Sequence, residues 1–509
     1  MIRSKLNLSL PTNWLSWISL SLLVKFLILF FFYTAFYSSI HPPGWMGLAN
    51  VNADFDDFYL PVYHFIHHGI SEYVSGSGLP YAGRFPGFAV PTYFFLLALP
   101  ESIAIQGIVL LQLIYSVVAT YLLARLVYKI TGSLGLFLLT LLIFVVFPVF
   151  LQFEITFHPD SYTNSAFITA LYFGYNYSRE RKKQSLFFCG LFFTWALLMR
   201  PYLLPYLFAF GGISALWMWK EKKFVFAICA TLFVFFSPFL AFETFWITRN
   251  YRAYHQVIPL VLVYEHTANR MTPAFPNTTS YPVEKLRELI SSWGGDNVWY
   301  QRGGEMNWFM RMSDTEANQF RLPPRIFTTA YNLDSLKLLR IRMHRIEQPD
   351  ISPEELARTE SQVIRSTEKF TQTYRTEHWV WYRFASPFLR IKNLIFRNPV
   401  QDWPGPSFAN SGMVYKAYKI CSAGCYLLIS IFVFPACVCL IRKYKKLTLF
   451  EASVLGCFVA LLVEFAYLIN LSHLTYFFTG YIAAYLLILL AWKQCILRST
   501  TPASDRGNV

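Results

Sequence analysis

Two adjacent carboxylates, Asp56 and Asp57, follow the first hydrophobic run of this 509-residue chain within "NADFDDFY", and Arg84 follows in "YAGRFPGFAVPTYFFLLAL". A bilayer interior disfavours charge, so an acidic pair at its edge asks for a chemical explanation rather than a packing one. Further groups of the same kinds recur at the margins of later apolar runs: Asp160 in "QFEITFHPDSYTNS", Arg200 in "WALLMRPYLLP" and Arg249 in "FWITRNY". A carboxylate can take a proton from a hydroxyl, and arginines can stabilise a departing phosphate. Carboxylates on one side and arginines on the other are the minimum set for moving a group from a phosphate to a hydroxyl.

The elements that must position these residues are membrane helices. The chain is 55% hydrophobic, 19% aromatic and 14% charged, with a mean hydropathy of +0.37, which describes a multi-pass membrane protein and excludes a soluble enzyme. Its net charge of +15 does not indicate nucleic-acid binding, because many of the Lys and Arg stand in short clusters beside apolar runs. All eight cysteines lie in or beside apolar runs, so no disulfide framework is expected.

Runs close to the roughly 20 residues that cross a bilayer core fall near 14 to 39, 101 to 129, 133 to 152, 163 to 178, 184 to 199, 201 to 219, 223 to 246, 412 to 440, 447 to 469 and 474 to 494. With these spans every basic cluster lands on one face: Arg3 and Lys5, Lys129, "RERKK" at 179 to 183, "KEKK" at 220 to 223, "RKYKK" at 442 to 446, and Lys493 with Arg498. That agreement places both termini in the cytoplasm. Counting the apolar stretch 86 to 99 as a further span would break it, so this stretch reads as a short juxtamembrane or re-entrant helix. Lys25, inside the first run, reads as snorkelling or paired within the bundle.

On this topology Asp56, Asp57 and Arg84 in the first outer loop, 40 to 100, share the outer face with Glu154, His158 and Asp160 of the second. The third outer region, roughly 247 to 411, is too long for a connection and must hold structure of its own. Around 271 to 325 it is rich in Gly, Asn and Pro and reads as irregular. Beyond that, Leu336, Leu339, Met343 and Ile346 form one helical stripe. Ser352, Pro353 and Glu355 start a second helix that carries Leu356, Val363, Phe370 and Tyr374. The stretch "HWVWYRFASPFLRIKNLIF" then mixes aromatic and basic residues as the lipid headgroup layer requires. His64 and His68, four apart, have helical metal-ligand spacing, but they fit an interfacial helix equally well.

The order of these features resembles the C-type (GT-C) integral membrane glycosyltransferases. The resemblance is greatest to the dolichyl- and polyprenyl-phosphate-sugar-dependent group that includes protein O-mannosyltransferases and lipid A aminoarabinose transferases. In that group an acidic pair followed by Tyr occupies the first outer loop, as Asp56, Asp57 and Tyr59 do here. A basic residue before a Pro-rich helix start is matched by "RFPGF", a run ending in Arg-Pro by Arg200 and Pro201, and "PW..RNY" by Arg249, Asn250 and Tyr251. The C-terminal match is looser: "NLSHLTYFFTGYIAAY" keeps Tyr476 but lacks the Arg and Pro of relatives.

The resemblance implies an all-α polytopic membrane protein: a GT-C-like bundle of about ten transmembrane helices, with a juxtamembrane helix in its first outer loop and a mostly helical extracytoplasmic insert. The expected division is a transmembrane module at 1–246, the insert at 247–411, and C-terminal helices with a cytoplasmic tail at 412–509. The implied activity is transfer of a sugar from a polyprenyl-phosphate donor to an extracytoplasmic acceptor hydroxyl, on a glycan, lipid or protein, with inversion. The expected location is a bacterial cytoplasmic membrane, with the active site on its outer face. Asp56 would be the general base. Asp57 and Asp160 would orient the acceptor or hold a divalent metal; Arg84, Arg200 and Arg249 would bind the donor phosphate; Tyr59, Asn250 and Tyr476 would support them. Two other readings are a transporter or lipid flippase, disfavoured by the lack of internal duplication and by acidic groups lying in loops rather than at the midplane, and a noncatalytic scaffold of the same fold.

Overall fold

The helices begin and end where local chemistry directs. Asp160 opens a helix directly after Pro159, Ser352 accepts a bond from the Glu355 amide (3.2 Å) ahead of Pro353, and Gly132, at φ 71°, closes another helix in the left-handed conformation. The computed structural model describes residues 14–40, 48–49, 55–69, 86–147, 151–255, 257, 259–260, 282–293, 305–310, 312–348, 350–396, 408–468 and 477–496. Among them the regular structure is helical and no strand occurs.

In chain order the helices are α1 (Trp14–Ile40), α2 (Phe55–His68), α3 (Ala89–Ala98), α4 (Glu101–Thr131), α5 (Leu134–Leu141), α6 (Leu151–Ile155), α7 (Asp160–Glu180), α8 (Lys183–Met199), α9 (Leu204–Lys220) and α10 (Val225–Tyr254). They continue with α11 (Pro282–Ser292), α12 (Glu305–Met310), α13 (Asp314–Gln319), α14 (Leu333–Ile346), α15 (Pro353–Glu377), α16 (Ser386–Phe396), α17 (Met413–Arg442), α18 (Leu449–Val463) and α19 (Phe478–Ile496). Five are long and apolar enough to cross a membrane: Glu101–Thr131, Pro201–Lys220, Val225–Arg252, Met413–Arg442 and Leu449–Tyr467. Shorter apolar helices accompany them at Trp14–Phe30, Leu134–Val146, Lys183–Met199 and Phe478–Gln494, and the molecule is an all-α polytopic membrane protein. At ten residues, α3 rises only about 15 Å, half of a hydrocarbon core, so it does not cross.

The apolar run at 133 to 152 is not one helix. After α5 the chain passes into a π-helical turn, Leu142–Val146, and leaves helical geometry at Phe147 (φ −117°, ψ 55°), the residue before Pro148. A proline's ring crowds its predecessor out of the helical region, which accounts for the break.

The chain forms two compact units: Met1–Arg249 with Asn398–Leu461 and Phe478–Val509, and Asn250–Arg397 with Leu462–Phe477. In the first, α4 is the hub, packed by α1, α3, α5, α6, α7 and α19. The backbones of α8 and α10 come so close that a side-chain carbon at Gly190 would collide with the Phe235 carbonyl. In the second, α14 buries Leu336, Leu339, Met343 and Ile346, while α15 buries Val363, Phe370 and Tyr374, the stripes expected from the sequence.

The stretch 271 to 325, read from the sequence as irregular, contains α11, α12 and α13. Leu286, Leu289, Ile290 and Trp293 recur at helical spacing and are all buried in the same core. The Gly, Asn and Pro residues on either side hide that stripe in a composition reading.

Candidate active site

The segment after α1 contributes α2. Phe58, Tyr59 and Val62 are buried, and Phe55 is half-buried on the same side, stacked on Tyr59 with ring centroids 4.8 Å apart. These positions recur at helical spacing, so Asp56 is turned away from that face. It is exposed and makes no ion pair or hydrogen bond to another described residue. The aromatic face seats α2 on Phe88, Phe157, Tyr162 and Met199, with Phe58 edge-on to Phe88 at 5.7 Å. Burial, with the Glu101 carboxylate nearby, pushes the Tyr59 phenol well above its ordinary range and keeps it protonated.

The segment before α7 is fastened by buried polar side chains. Lys25 donates to Glu154 Oε1 (2.5 Å) and to Ser116 Oγ (2.9 Å), all three buried, and Gln112 donates to the carbonyls of Phe153 and Thr156. The sequence reading of Lys25 as a paired structural cation thus acquires its partner. Just past this fastening, His158 and Asp160 turn inward.

Asp160, His158 and Arg200 form a closed ring of side chains. Arg200 donates through Nε to Asp160 Oδ1 (2.5 Å) and through an Nη to His158 Nε2 (2.8 Å); His158 Nδ1 stands 3.2 Å from Asp160 Oδ2. The same guanidinium also stands 3.3 Å from His158 Nδ1. All three residues are buried: Asp160 is 1%, His158 2% and Arg200 7% exposed. Burial alone would raise the carboxyl of Asp160, but the Arg200 charge and the adjoining His158 outweigh it and hold the group well below the usual carboxylate range. Asp160 heads α7, where the helix dipole also favours an anion.

The ring meets α2 through Phe58. The Phe58 ring is edge-on to His158 at 5.5 Å, and the Arg200 guanidinium stands over it at 5.7 Å. The turn 86–88 is pressed against the same region: a side-chain carbon at Gly87 would come within 2.5 Å of the Leu198 main chain, two residues before Arg200. Only glycine allows that approach.

Of the residues expected to act, the structure therefore brings Asp160 and Arg200 together and seats the helix carrying Asp56 and Tyr59 against them. Asp57 follows Asp56 on α2, with its side chain outside the described set. Arg84 and Tyr476 lie outside the described residues. Arg249 is half-buried near the end of α10, with its guanidinium over the Trp246 ring at 5.1 Å. Asn250 next to it is fully buried. His158 was noticed in the sequence only as a member of the second outer loop; its neighbour Asp160 and the buried setting give it its importance.

A metal does not fit the described part of this site. Both oxygens of Asp160 face Arg200 or His158. The His64 and His68 rings are 5.5 Å apart, but among the described residues no group of three metal-ligating side chains comes together. No chemical step is assigned to a metal here.

Residues 89–242, from α3 through most of α10, match the family described as dolichyl-phosphate-mannose-protein mannosyltransferase. The match covers less than a third of the chain; it contains Asp160 and Arg200 and leaves Asp56, Asp57, Arg84 and Arg249 outside. It supports a membrane glycosyltransferase of the C type. No curated protein and no solved structure matches the chain.

Proposed function

We propose that this protein transfers a sugar from a polyprenyl-phosphate carrier to a hydroxyl of an extracytoplasmic acceptor, with inversion at the anomeric carbon. Asp56 is the general base: it accepts the acceptor's proton as the hydroxyl oxygen bonds to the anomeric carbon and the bond to the carrier phosphate breaks. The lipid phosphate leaves with the bonding electrons and is held by Arg84 and Arg249. Tyr59 and Asn250 support the site, and Asp57 orients the acceptor. Tyr476 is assigned to the donor side. The roles of Asp160 and Arg200 are narrowed from those expected of them singly. Each neutralises the other, so the pair fixes the position of α2 and leaves the free charge of the site to Asp56.

The observation that carries this reading is the contrast on α2. An exposed carboxylate with no ionic partner among the described residues stands on a helix whose opposite face is locked, through Phe58, to a buried ring of paired charge. Structural carboxylates are paired; an accessible one on a rigid support suits a base.

An outer-face site and cytoplasmic termini complete the proposal and rest on the basic clusters; bacterial origin follows from the family resemblance. The test is incubation of the purified protein with radiolabelled polyprenyl-phosphate sugars and envelope-derived acceptors. Sugar transfer that is lost in Asp56→Asn supports the reading, and binding without transfer by the unaltered protein overturns it.

A further inference from the structure

The aromatic and basic stretch that leads into α16 has no part in sugar transfer, yet its exposure demands a partner. Trp379 is 55% exposed, Val380 56%, Phe384 62% and Phe388 67%. A protein surface in water rarely gathers so many large apolar groups in one place. Exposed Arg383 and Lys392 flank them.

The opposite face of α16 shows at what level the stretch lies. Arg390, 1% exposed, donates through Nη1 to the Ala466 carbonyl (2.6 Å) and through Nη2 to the Ser291 carbonyl. Ala466 belongs to the π-helical turn Glu464–Leu468 that ends the membrane span Leu449–Tyr467, and α16 packs against that turn. The span has 19 residues and rises about 28 Å, close to a hydrocarbon thickness of roughly 30 Å. It starts beside the basic residues Lys443, Lys445 and Lys446, so Ala466 lies at the opposite bilayer boundary. Phe388, two residues from Arg390, is held at that depth.

We propose that Trp379, Val380, Phe384 and Phe388 form a lipid-binding surface. It lies in the headgroup layer of the leaflet away from the basic loop, with Arg383 and Lys392 engaging anionic headgroups. Arg390 is the strut that sets its depth by tying α16 to the last turn of a membrane span. The occupant is the lipid surface rather than another protein for two reasons: the face is tied to a bilayer boundary, and an aromatic patch with a basic margin complements an anionic headgroup layer.

The surface is tested in the full chain carrying Phe384→p-benzoylphenylalanine or Phe388→p-benzoylphenylalanine, reconstituted into phosphatidylcholine nanodiscs with and without phosphatidylglycerol. After irradiation, mass spectrometry of the labelled peptide identifies what the probe touched. Lipid adducts enriched in phosphatidylglycerol are expected. Removing charge with Arg383→Gln and Lys392→Gln should lower that enrichment by about fivefold per charge, from roughly 1 kcal/mol each. Adducts to a second protein chain, or peptide free of lipid, would overturn the proposal; lipid adducts indifferent to both headgroup charge and the glutamine changes would overturn its anionic part. Both probe positions are exposed, so the substitutions leave the core intact.

Discussion

Each unit of this molecule buries arginine, and each does so by a different device. Arg200 in the first unit is satisfied by ionisable side chains, Asp160 and His158. Arg390 in the second donates to main-chain carbonyls, those of Ala466 and Ser291; Arg340 adds to the carbonyls of Trp308 and Met312 an exposed carboxylate, Asp314, at 3.0 Å. A carbonyl-bound arginine ties segments together and leaves its charge uncompensated by those bonds. An arginine bonded to a carboxylate gives up its net charge, and losing either partner strands the other in a medium that cannot solvate it. The first unit therefore concentrates paired charge beneath α2, while Asp56 on α2 makes no ion pair to a described residue. The second uses the same side chain as a fastener.

If the first region is chemical and the second structural, the largest separation comes from Asp56→Asn. Sugar transfer should fall about 10²- to 10⁴-fold with the melting temperature in detergent unchanged. A matching loss of stability would show that Asp56 also fastens the fold, and the contrast between the regions would fail.

The next effect is expected at the ring. Arg200→Met leaves Asp160 buried without its counter-ion and should cost about 3–5 kcal/mol of unfolding free energy. Removing both charges together, with Arg200→Met and Asp160→Leu, should return much of that loss, and thermal melts of the two variants provide the comparison. Because the Asp160 carboxyl is depressed in the folded protein, its contribution is complete above the unfolded-state value of about 4. It is lost as pH falls below that, toward the folded value. Melts from neutral pH downward should stay level to about pH 5 and then decline more steeply in the unaltered protein than in Asp160→Asn.

Arg390→Met should be milder, about 1–3 kcal/mol for carbonyls left unpaired. Thermal melts beside those of Arg200→Met provide the check, and a loss as large as that of Arg200→Met would erase the distinction drawn above. The smallest effect belongs to the helix cap of α13, where Ser313 and Glu316 satisfy each other's backbone amides. Ser313→Ala should cost about 1 kcal/mol, read as a small shift in denaturant midpoint without loss of transfer activity.

Much of this was legible before any coordinates. Hydropathy and short basic clusters are local signals; they marked most of the apolar helices and set the stretch of α3 apart from the spans, because counting it would have split the basic clusters between two faces. Arg200 stood out as a basic residue directly after an apolar run and before Pro201. The stripes of α14 and α15 were equally plain, because apolar spacing directly records which face a helix buries. The same signal failed for α11, whose stripe is bracketed by Gly, Asn and Pro, and for the run at 133 to 152, where Pro148 ends what hydropathy alone would continue.

By itself, the sequence determined that this is a polytopic α-helical membrane protein, with candidate acids and cations at the ends of its apolar runs. Transfer energies and helical periodicity act over a few residues, and both can be read along the chain. Only the tertiary structure decided which charge serves which: Lys25 is paired with Glu154, Asp160 with Arg200, and Asp56 with no described residue. The reason is that burial sets whether a carboxylate is neutralised or left to react. For Asp160 and Arg200, 40 positions apart, burial depends on a loop meeting the end of a different helix.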